Sequence, residues 1–223
     1  PIILNIAEGS TREALAQVKL AEDWGVQGLM LLPPMRYKPD HRETVNYFRS
    51  IAQSTSLPIM LYNNPNDYKT EITLPMFEEL AKISNINAVK ESTRDVTNVT
   101  RMRNLFGDRF QIMCGVDTLA LEEFAAGADG WVAGLVCAFP AETVQLFRFC
   151  MDGNWEAARK LYRWFMPLLE LDIHPKLVQY IKLAETETGL GSEYVRAPRL
   201  RLEGTEREHI LNIIRKGIQT RPN

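Results

Sequence analysis

The sequence has few cysteines and histidines, and their placement excludes two common kinds of site. Cys114, Cys137 and Cys150 are odd in number and none has C-x-x-C spacing, so neither a disulfide framework nor a zinc site is expected. The three histidines show neither H-x-H nor H-E-x-x-H spacing, so no metal site is expected from them. We therefore expect buried free thiols and a cytoplasmic location.

The chain also lacks long runs of apolar residues and runs of basic residues. No apolar stretch reaches about 18 residues, the length that suggests a membrane-spanning helix, and no signal-peptide pattern opens the chain. The formal net charge is −2 and no basic run occurs, which argues against nucleic acid and acidic membranes as partners. No G-x-G-x-x-G is present, which argues against a dinucleotide-binding sheet. A soluble protein is therefore expected.

The sequence does contain a repeated alternation of short apolar runs and amphipathic stretches. Each apolar run predicts a parallel strand covered on both faces, and each amphipathic stretch predicts a helix. The predicted strands are Ile2–Ile6, Gly28–Leu32, Ile59–Tyr62, Ile86–Lys90, Phe110–Cys114 and Trp131–Leu135. The predicted helices that follow them lie near 11–24, 41–54, 74–83, 96–106, 118–126 and 141–151.

Residues 1–152 thus hold six βα units, and residues 153–223 hold helices alone, predicted at 155–171, 175–188 and 206–218. A (β/α)8 TIM barrel has eight units. Because the chain begins at Pro1, without methionine and directly on a strand, we expect an α/β barrel lacking its first two βα units, with a C-terminal helical region. An open doubly wound sheet is the alternative, and it would show a different strand order.

Two residues stand at predicted strand ends one βα unit apart. Active sites of barrels lie at the carboxyl ends of the strands, where Tyr62 and Lys90 fall on neighbouring strands. A lysine amine there can form a Schiff base with a carbonyl compound, and a nearby tyrosine can relay the protons that this reaction needs. The ordinary alternatives are a lysine that extends to solvent and a tyrosine that only fills the barrel.

The residues around this pair resemble one known family. Leu-Tyr-Asn-Asn-Pro at 61–65, followed one unit later by Val-Lys-Glu-Ser at 89–92, is similar to the dihydrodipicolinate synthase/N-acetylneuraminate lyase family. The segments at 32–34, 114–117 and 127–132 also fall where that family has its other strand-end motifs. The resemblance covers the chain from the third strand of the family's barrel onward.

The resemblance implies a class I mechanism on a 2-oxo acid or cyclic imino acid. Lys90 would form the imine, Tyr62 would relay protons, and Asn64, Gly115 and Val132 would contact the substrate. No cofactor is implied, because the imine itself is the electron sink. The family resemblance also implies a homo-oligomer, a dimer or tetramer. The carboxylate-binding Gly-Thr-Thr-Gly-Glu loop of the family does not occur in this sequence.

Two departures bear on the substrate. Synthases of the family carry an arginine shortly after the Tyr-Asn-x-Pro motif, where this chain has Asp67. The loop Pro-Pro-Met-Arg-Tyr-Lys at 33–38 replaces the tyrosine pair of the synthases, so that Tyr37 is a candidate relay aromatic or interface residue. Arg36 and Lys38 are candidates for the anion contacts that Asp67 cannot make.

This loop and the segment at 130–140 look most like the 1-pyrroline-4-hydroxy-2-carboxylate deaminases of hydroxyproline catabolism. Such an enzyme opens a cyclic imine, loses water, and releases ammonia and 2-oxoglutarate semialdehyde. Dihydrodipicolinate synthase-like activity and 2-keto-3-deoxy sugar acid aldolases or dehydratases remain alternatives with the same lysine chemistry. A phosphate-binding barrel using Gly115 and Gly134, and a non-catalytic barrel serving as a binding or regulatory protein, are the alternatives of other classes.

Overall fold

The strands and helices alternate along the chain as the sequence predicts. The structure, a computed structural model, describes residues 1–34 and 36–222. Within these residues six strands form one parallel sheet in the consecutive order β1-β2-β3-β4-β5-β6. The consecutive order excludes the doubly wound alternative, in which the order reverses partway through the sheet. The strands are β1 Ile3–Ile6, β2 Gly28–Leu31, β3 Ile59–Asn63, β4 Ile86–Glu91, β5 Gln111–Cys114 and β6 Gly130–Trp131.

The helices follow the strands at short distances. Five belong to the first part of the chain: α1 Thr11–Asp23, α2 His41–Ala52, α3 Pro65–Tyr68, α4 Leu74–Leu80 and α5 Thr97–Phe106. A 3₁₀ helix, Asp117–Leu119, leads into α6 Ala120–Ala125, and a second, Leu135–Cys137, precedes α7 Pro140–Met151. The chain ends with α8 Trp155–Leu169, the 3₁₀ helix Glu170–Ile173, α9 Leu177–Thr188 and α10 Gly204–Gln219.

Side-chain caps form at the starts of α1 and α2. The Asp40 side chain accepts from the Glu43 backbone N–H at 2.8 Å, and the Glu43 carboxylate accepts from the Asp40 N–H at 2.9 Å. This reciprocal pair satisfies two N–H groups that have no partner within the helix. At α1 the Ser10 hydroxyl accepts from the Glu13 N–H at 3.3 Å. Both helices begin where this chemistry predicts.

The chain forms two compact units, each with its own core. The first comprises residues 1–113 and 126–130, and the second comprises residues 114–125 and 131–223. In the first unit the parallel ladder pairs Leu31 with Leu61 and Leu61 with Val89, and all three side chains are fully buried. In the second unit the core lies among α7, α8, α9 and α10, where Leu146, Phe165, Leu183 and Ile214 are fully buried.

Helices α8 and α10 approach closely in the second unit. A Cβ placed on Gly217 would lie 2.7 Å from a methyl carbon of Leu168, a distance that side-chain packing does not allow. Glycine at this position lets the backbone of α10 pack against the Leu168 side chain. No helix in the described parts of either unit is both long enough and apolar enough to cross a membrane.

Three details of the prediction are wrong. The strand predicted at 131–135 ends at Trp131, because the Gly134 and Leu135 N–H groups bond to the Asp117 carboxylate and not to a neighbouring strand. The helix predicted from Pro175 begins at Leu177, because the N–H groups of 176 and 177 both bond to His174 and form a turn. Cys137 is exposed, whereas the other two cysteines are buried as predicted.

Candidate active site

Strands β3 and β4 bring the tyrosine and lysine of the sequence analysis side by side. The parallel register pairs Tyr62 with Lys90, and the Lys90 Nζ atom lies 4.3 Å from the centroid of the Tyr62 ring. Both side chains are half-buried. Apart from this contact, Lys90 Nζ makes no hydrogen bond or ion pair with a residue of the described chain. The amine is therefore held by one aromatic face and remains open to a reacting partner.

Along β3, the tyrosine of the candidate site and the asparagine that anchors the following segment point to opposite faces of the sheet. Successive residues of a strand point to opposite faces, so Tyr62 and Asn64 share one face and Asn63 points to the other. The Asn63 amide donates to the Ile72 carbonyl at 3.2 Å and accepts from the Ile72 N–H at 2.9 Å. This pair of bonds fixes the segment after β3 and leaves the opposite face to Tyr62.

Asn64 links the tyrosine hydroxyl to the turn that follows. Its amide nitrogen donates to Tyr62 Oη at 3.2 Å and to Asp67 Oδ2 at 2.7 Å, and its amide oxygen accepts from the Asp67 N–H at 3.1 Å. Asn64 thereby caps α3, a short helix that the sequence analysis did not predict. Because Asn64 donates to Tyr62 Oη, the tyrosine's own proton is available to another acceptor.

Asp67 and Tyr68 complete the surroundings of Tyr62. Asp67 stands where the family resemblance implies an arginine, and its carboxylate is bound to the Asn64 amide. The Tyr68 ring packs edge-on against Tyr62 with a centroid separation of 5.4 Å. Burial, followed by the neighbouring Tyr62 and Asp67, raises the pKa of Tyr68 to about 12. Sequence reasoning missed Tyr68, although its place six residues after a candidate tyrosine in the same loop was a usable signal.

A buried carboxylate holds the loop after Lys90. Glu91 is 1% exposed and accepts from the Thr93 N–H and from the Asn98 side chain, both at 2.8 Å. Burial raises the pKa of Glu91, and its hydrogen bonds oppose that rise. The Ser92 N–H donates to the Asn63 carbonyl at 2.9 Å, which extends the ladder by one residue. Glu91 belongs to the strand-end motif Val-Lys-Glu-Ser, but the sequence analysis gave it no role of its own.

Gly115 and Val132 lie in the second unit, directly after the ends of β5 and β6. The Val132 N–H donates to the Cys114 carbonyl at 2.9 Å, which keeps the two strand ends in register. Asp117 accepts from the Trp131 indole N–H at 3.1 Å and is fully buried. Both predicted residues therefore follow strand ends that a single carboxylate helps to fix.

The loop between β2 and α2 makes its contacts with α1 and α2. The Arg36 guanidinium lies 3.8 Å from the Glu13 carboxylate, and its side chain is 72% exposed. Tyr37 is 60% exposed, and a hydrogen bond to Glu43 raises its pKa. Met35 of the same loop lies outside the described residues. That Arg36 and Tyr37 bind substrate stays a prediction.

No cluster of three or more metal-binding side chains occurs among residues 1–34 and 36–222.

The sequence of this chain matches a known protein family and several of its members. Residues 1–216 match the family described as the dihydrodipicolinate synthetase family. A 4-hydroxy-tetrahydrodipicolinate synthase of Methanothrix thermoacetophila is 32% identical over 170 residues, which cover 76% of this chain and 58% of that protein. The corresponding synthase of Methanosarcina mazei is 30% identical over 220 residues, which cover 97% of this chain and 75% of that protein.

Solved structures agree with the sequence matches. A dihydrodipicolinate synthase from Bacillus anthracis superimposes with a TM-score of 0.92 at 28% identity, covering 100% of this chain and 75% of that one. A chloride-inhibited dihydrodipicolinate synthase from Acinetobacter baumannii, complexed with pyruvate, gives a TM-score of 0.89 at 26% identity, covering 97% of this chain and 75% of that one. These neighbours are TIM barrels, and members of the family are class I lyases. With residues 1–216 matched and the lysine and tyrosine at neighbouring strand ends, the chain belongs to the dihydrodipicolinate synthetase family.

Proposed function

We propose that this protein is a Schiff-base-forming lyase or deaminase in which Lys90 condenses with a 2-oxo acid or a cyclic imino acid. The observation that carries the proposal is the position of Lys90 Nζ, 4.3 Å from the Tyr62 ring centroid and free of hydrogen bonds and ion pairs with the described residues. A surface lysine whose role is charge alone needs no such aromatic neighbour at a strand end. The family's class I chemistry supports the same assignment.

The first chemical step follows from the two side chains. The Lys90 nitrogen adds its electron pair to the carbonyl carbon, the carbonyl oxygen takes up a proton, and the nitrogen gives one up. With a 2-oxo acid the resulting carbinolamine then loses its hydroxyl as water and becomes the protonated imine. With a cyclic imino acid the Lys90 nitrogen adds to the carbon of the C=N bond, and the ring nitrogen takes up a proton and leaves that carbon as the ring opens, which gives the protonated imine of Lys90. Tyr62 is placed to supply and recover these protons, because its hydroxyl accepts from Asn64 at 3.2 Å and keeps its own proton free.

The protonated imine is the electron sink for the bond cleavage that follows. It takes up the electron pair left on the neighbouring carbon when that carbon loses a proton or a carbon fragment, and the enamine so formed can expel a hydroxyl as water from the next carbon. This chemistry needs neither a metal nor an organic cofactor, and we propose that the protein uses none.

For the substrate we propose 1-pyrroline-4-hydroxy-2-carboxylate, which makes the protein a deaminase. Asp67 supports this choice against a synthase that grips a second carboxylate, because its own carboxylate stands at the place of the implied arginine and is bound to Asn64 at 2.7 Å. 4-Hydroxy-tetrahydrodipicolinate synthesis is the second candidate, favoured by the names of the relatives. A homo-oligomer is proposed on the family resemblance, and a cytoplasmic location is proposed on the three cysteines without disulfide spacing.

Product analysis tests the proposal and separates the candidates. The protein is incubated with the hydroxyproline-derived cyclic imine, with 2-keto-3-deoxy sugar acids, and with pyruvate plus aspartate semialdehyde. Ammonia release from the first, absent in Lys90→Ala, is expected. Turnover retained in Lys90→Ala would overturn the assignment of Lys90. If the protein condenses pyruvate with aspartate semialdehyde in preference to releasing ammonia from the cyclic imine, the proposed activity would be that of the synthase and not of the deaminase.

A further inference from the structure

A cavity lies in the first unit, formed by the loops after β2 and β3. Its volume is about 470 Å³, within the range of small-molecule sites. Three apolar residues, Pro39, Pro65 and Met76, form part of its wall, and the remaining lining is polar or charged. The polar members are Lys38, Lys69, Thr70, Glu71 and Thr73.

The positive charges of this cavity are only partly balanced by its own lining. Neither Lys38 nor Lys69 has a carboxylate within ion-pair distance in the described chain. The Lys69 ammonium donates to the Asn66 carbonyl at 2.5 Å, which occupies one of its three N–H groups and leaves two. Glu71 is the single acidic lining residue, so the cavity carries one net positive charge. That balance matches a ligand with one negative charge.

The backbone fixes Lys69 in an uncommon conformation. Its φ angle is 59°, in the left-handed region that residues other than glycine rarely occupy. Its N–H donates to the Pro65 carbonyl at 3.1 Å, which ends α3. Because Asn64 caps the other end of the same four-residue helix, the position of Lys69 is tied to the group that bonds the Tyr62 hydroxyl.

Two hydroxyl groups on the wall have no fixed partner. Thr70 is 3% exposed, and its hydroxyl has no hydrogen-bond partner among the described residues. A buried hydroxyl without a partner is unfavourable, and rotation about its Cα–Cβ bond can offer it to a bound group. Thr73 precedes α4, yet its side chain makes no capping bond. Both hydroxyls are therefore available as donors.

We propose that this cavity binds the carboxylate of a small monobasic organic acid with a short apolar chain. The two lysines and the threonine hydroxyls bind the carboxylate, and the two prolines and Met76 pack against the chain. Lys90 is not among the residues that line this cavity, and binding there needs no imine, so the site goes beyond the proposed function.

Butyrate and butyramide form a matched pair of probes, since they have the same shape and differ in charge. The full chain is labelled with ¹³C at its methionine methyl groups, and the Met76 signal is identified by Met76→Leu. Butyrate is expected to shift this signal in a saturable manner, and butyramide is not. Lys38→Gln and Lys69→Gln are each expected to weaken butyrate binding by roughly five-fold, the effect of losing one ionic contact.

Three further variants complete the test. Lys82→Gln removes an exposed lysine outside the cavity and is expected to leave binding unchanged, as is Lys90→Ala. Thr70→Val is expected to weaken butyrate binding without lowering the melting temperature, because the hydroxyl that it removes makes no hydrogen bond with the described residues. An equal shift by butyramide, or binding unaffected by both cavity lysine variants, would overturn the site. If the unmodified chain binds butyrate but turns over none of the candidate substrates, the result would count against the proposed function alone.

Discussion

At the scale of single residues, the site depends on one amide group. Asn64 donates to the Tyr62 hydroxyl and also binds both the carboxylate and the N–H of Asp67. The tyrosine is therefore oriented by a residue that is itself held in place by a helix start. Such support is what a proton-relaying group needs, since small displacements reduce the rate strongly.

The Tyr62 hydroxyl is expected to matter for imine formation and not for folding. Tyr62→Phe removes the relay and should slow imine formation by about 10²-fold, the usual contribution of a positioned acid or base. Single-turnover measurement of imine formation with pyruvate gives the rate. Tyr47→Phe is the matched control, because the Tyr47 hydroxyl is buried without a partner and should change the rate little. Equal rates for Tyr62→Phe and the unmodified chain would remove Tyr62 from the mechanism.

Glu91 should make the stability of the protein depend on pH. Burial raises its pKa in the folded state, so the folded state binds the proton more tightly than the unfolded state does. Its contribution is complete below the unfolded pKa and is lost as the pH rises through the folded pKa. Relative to the unmodified chain, Glu91→Gln should gain stability as the pH rises from about 4.5. Urea unfolding of both proteins across this pH range measures the difference between their free energies of unfolding. A difference that does not change with pH would contradict the account.

At the scale of elements, the turn after β6 shows how a side chain ends a strand. The Asp117 carboxylate accepts from the Trp131 indole N–H and from the backbone N–H groups of Gly134 and Leu135, at 3.1, 3.1 and 2.7 Å. These bonds take the chain out of the ladder and begin the 3₁₀ helix Leu135–Cys137.

Asp117→Ala is expected to destabilise the second unit. Three N–H donors in a largely buried setting would lose their acceptor, at a cost of roughly 2–5 kcal/mol in the free energy of unfolding. Urea unfolding followed by tryptophan fluorescence reports the change, because Trp131 is one of the donors. Asp152→Ala, at an exposed position, should change stability little. An Asp117→Ala protein as stable as this control would show that other groups hold the turn.

The elements that could be predicted from sequence are those whose signals are local. Amphipathic stretches and apolar runs predicted α1, α2 and the first five strands to within two residues at each end. The strand at 131–135 failed because its end is set by Asp117, fourteen residues earlier, through bonds that no local pattern reveals. Helix α3 was missed because it is a single turn fixed by Asn64, a residue that also suits a loop.

At the scale of the whole molecule, the repeated βα pattern identified the fold class and two strand-end motifs identified the family. The pairing of Tyr62 with Lys90 followed from the period of the repeat, since neighbouring parallel strands bring their carboxyl ends together. The roles of the residues that support this pair could not be predicted from the period of the repeat, because the burial of Glu91 and the hydrogen bonds of Asn64 depend on how the chain packs. The cavity at Lys38 and Lys69 likewise joins two loops that are far apart in sequence.

The central claim is that Lys90, and no other lysine of the chain, forms the imine. The most direct measurement is to incubate the protein with pyruvate, reduce with borohydride, digest with trypsin and map the adduct by mass spectrometry. The adduct is expected on the peptide 83–94, uncleaved after Lys90 because the modified side chain is no longer a trypsin site, and it should be absent from Lys90→Ala. An adduct on another lysine that persists in Lys90→Ala, or no adduct with any 2-oxo acid, would contradict the account.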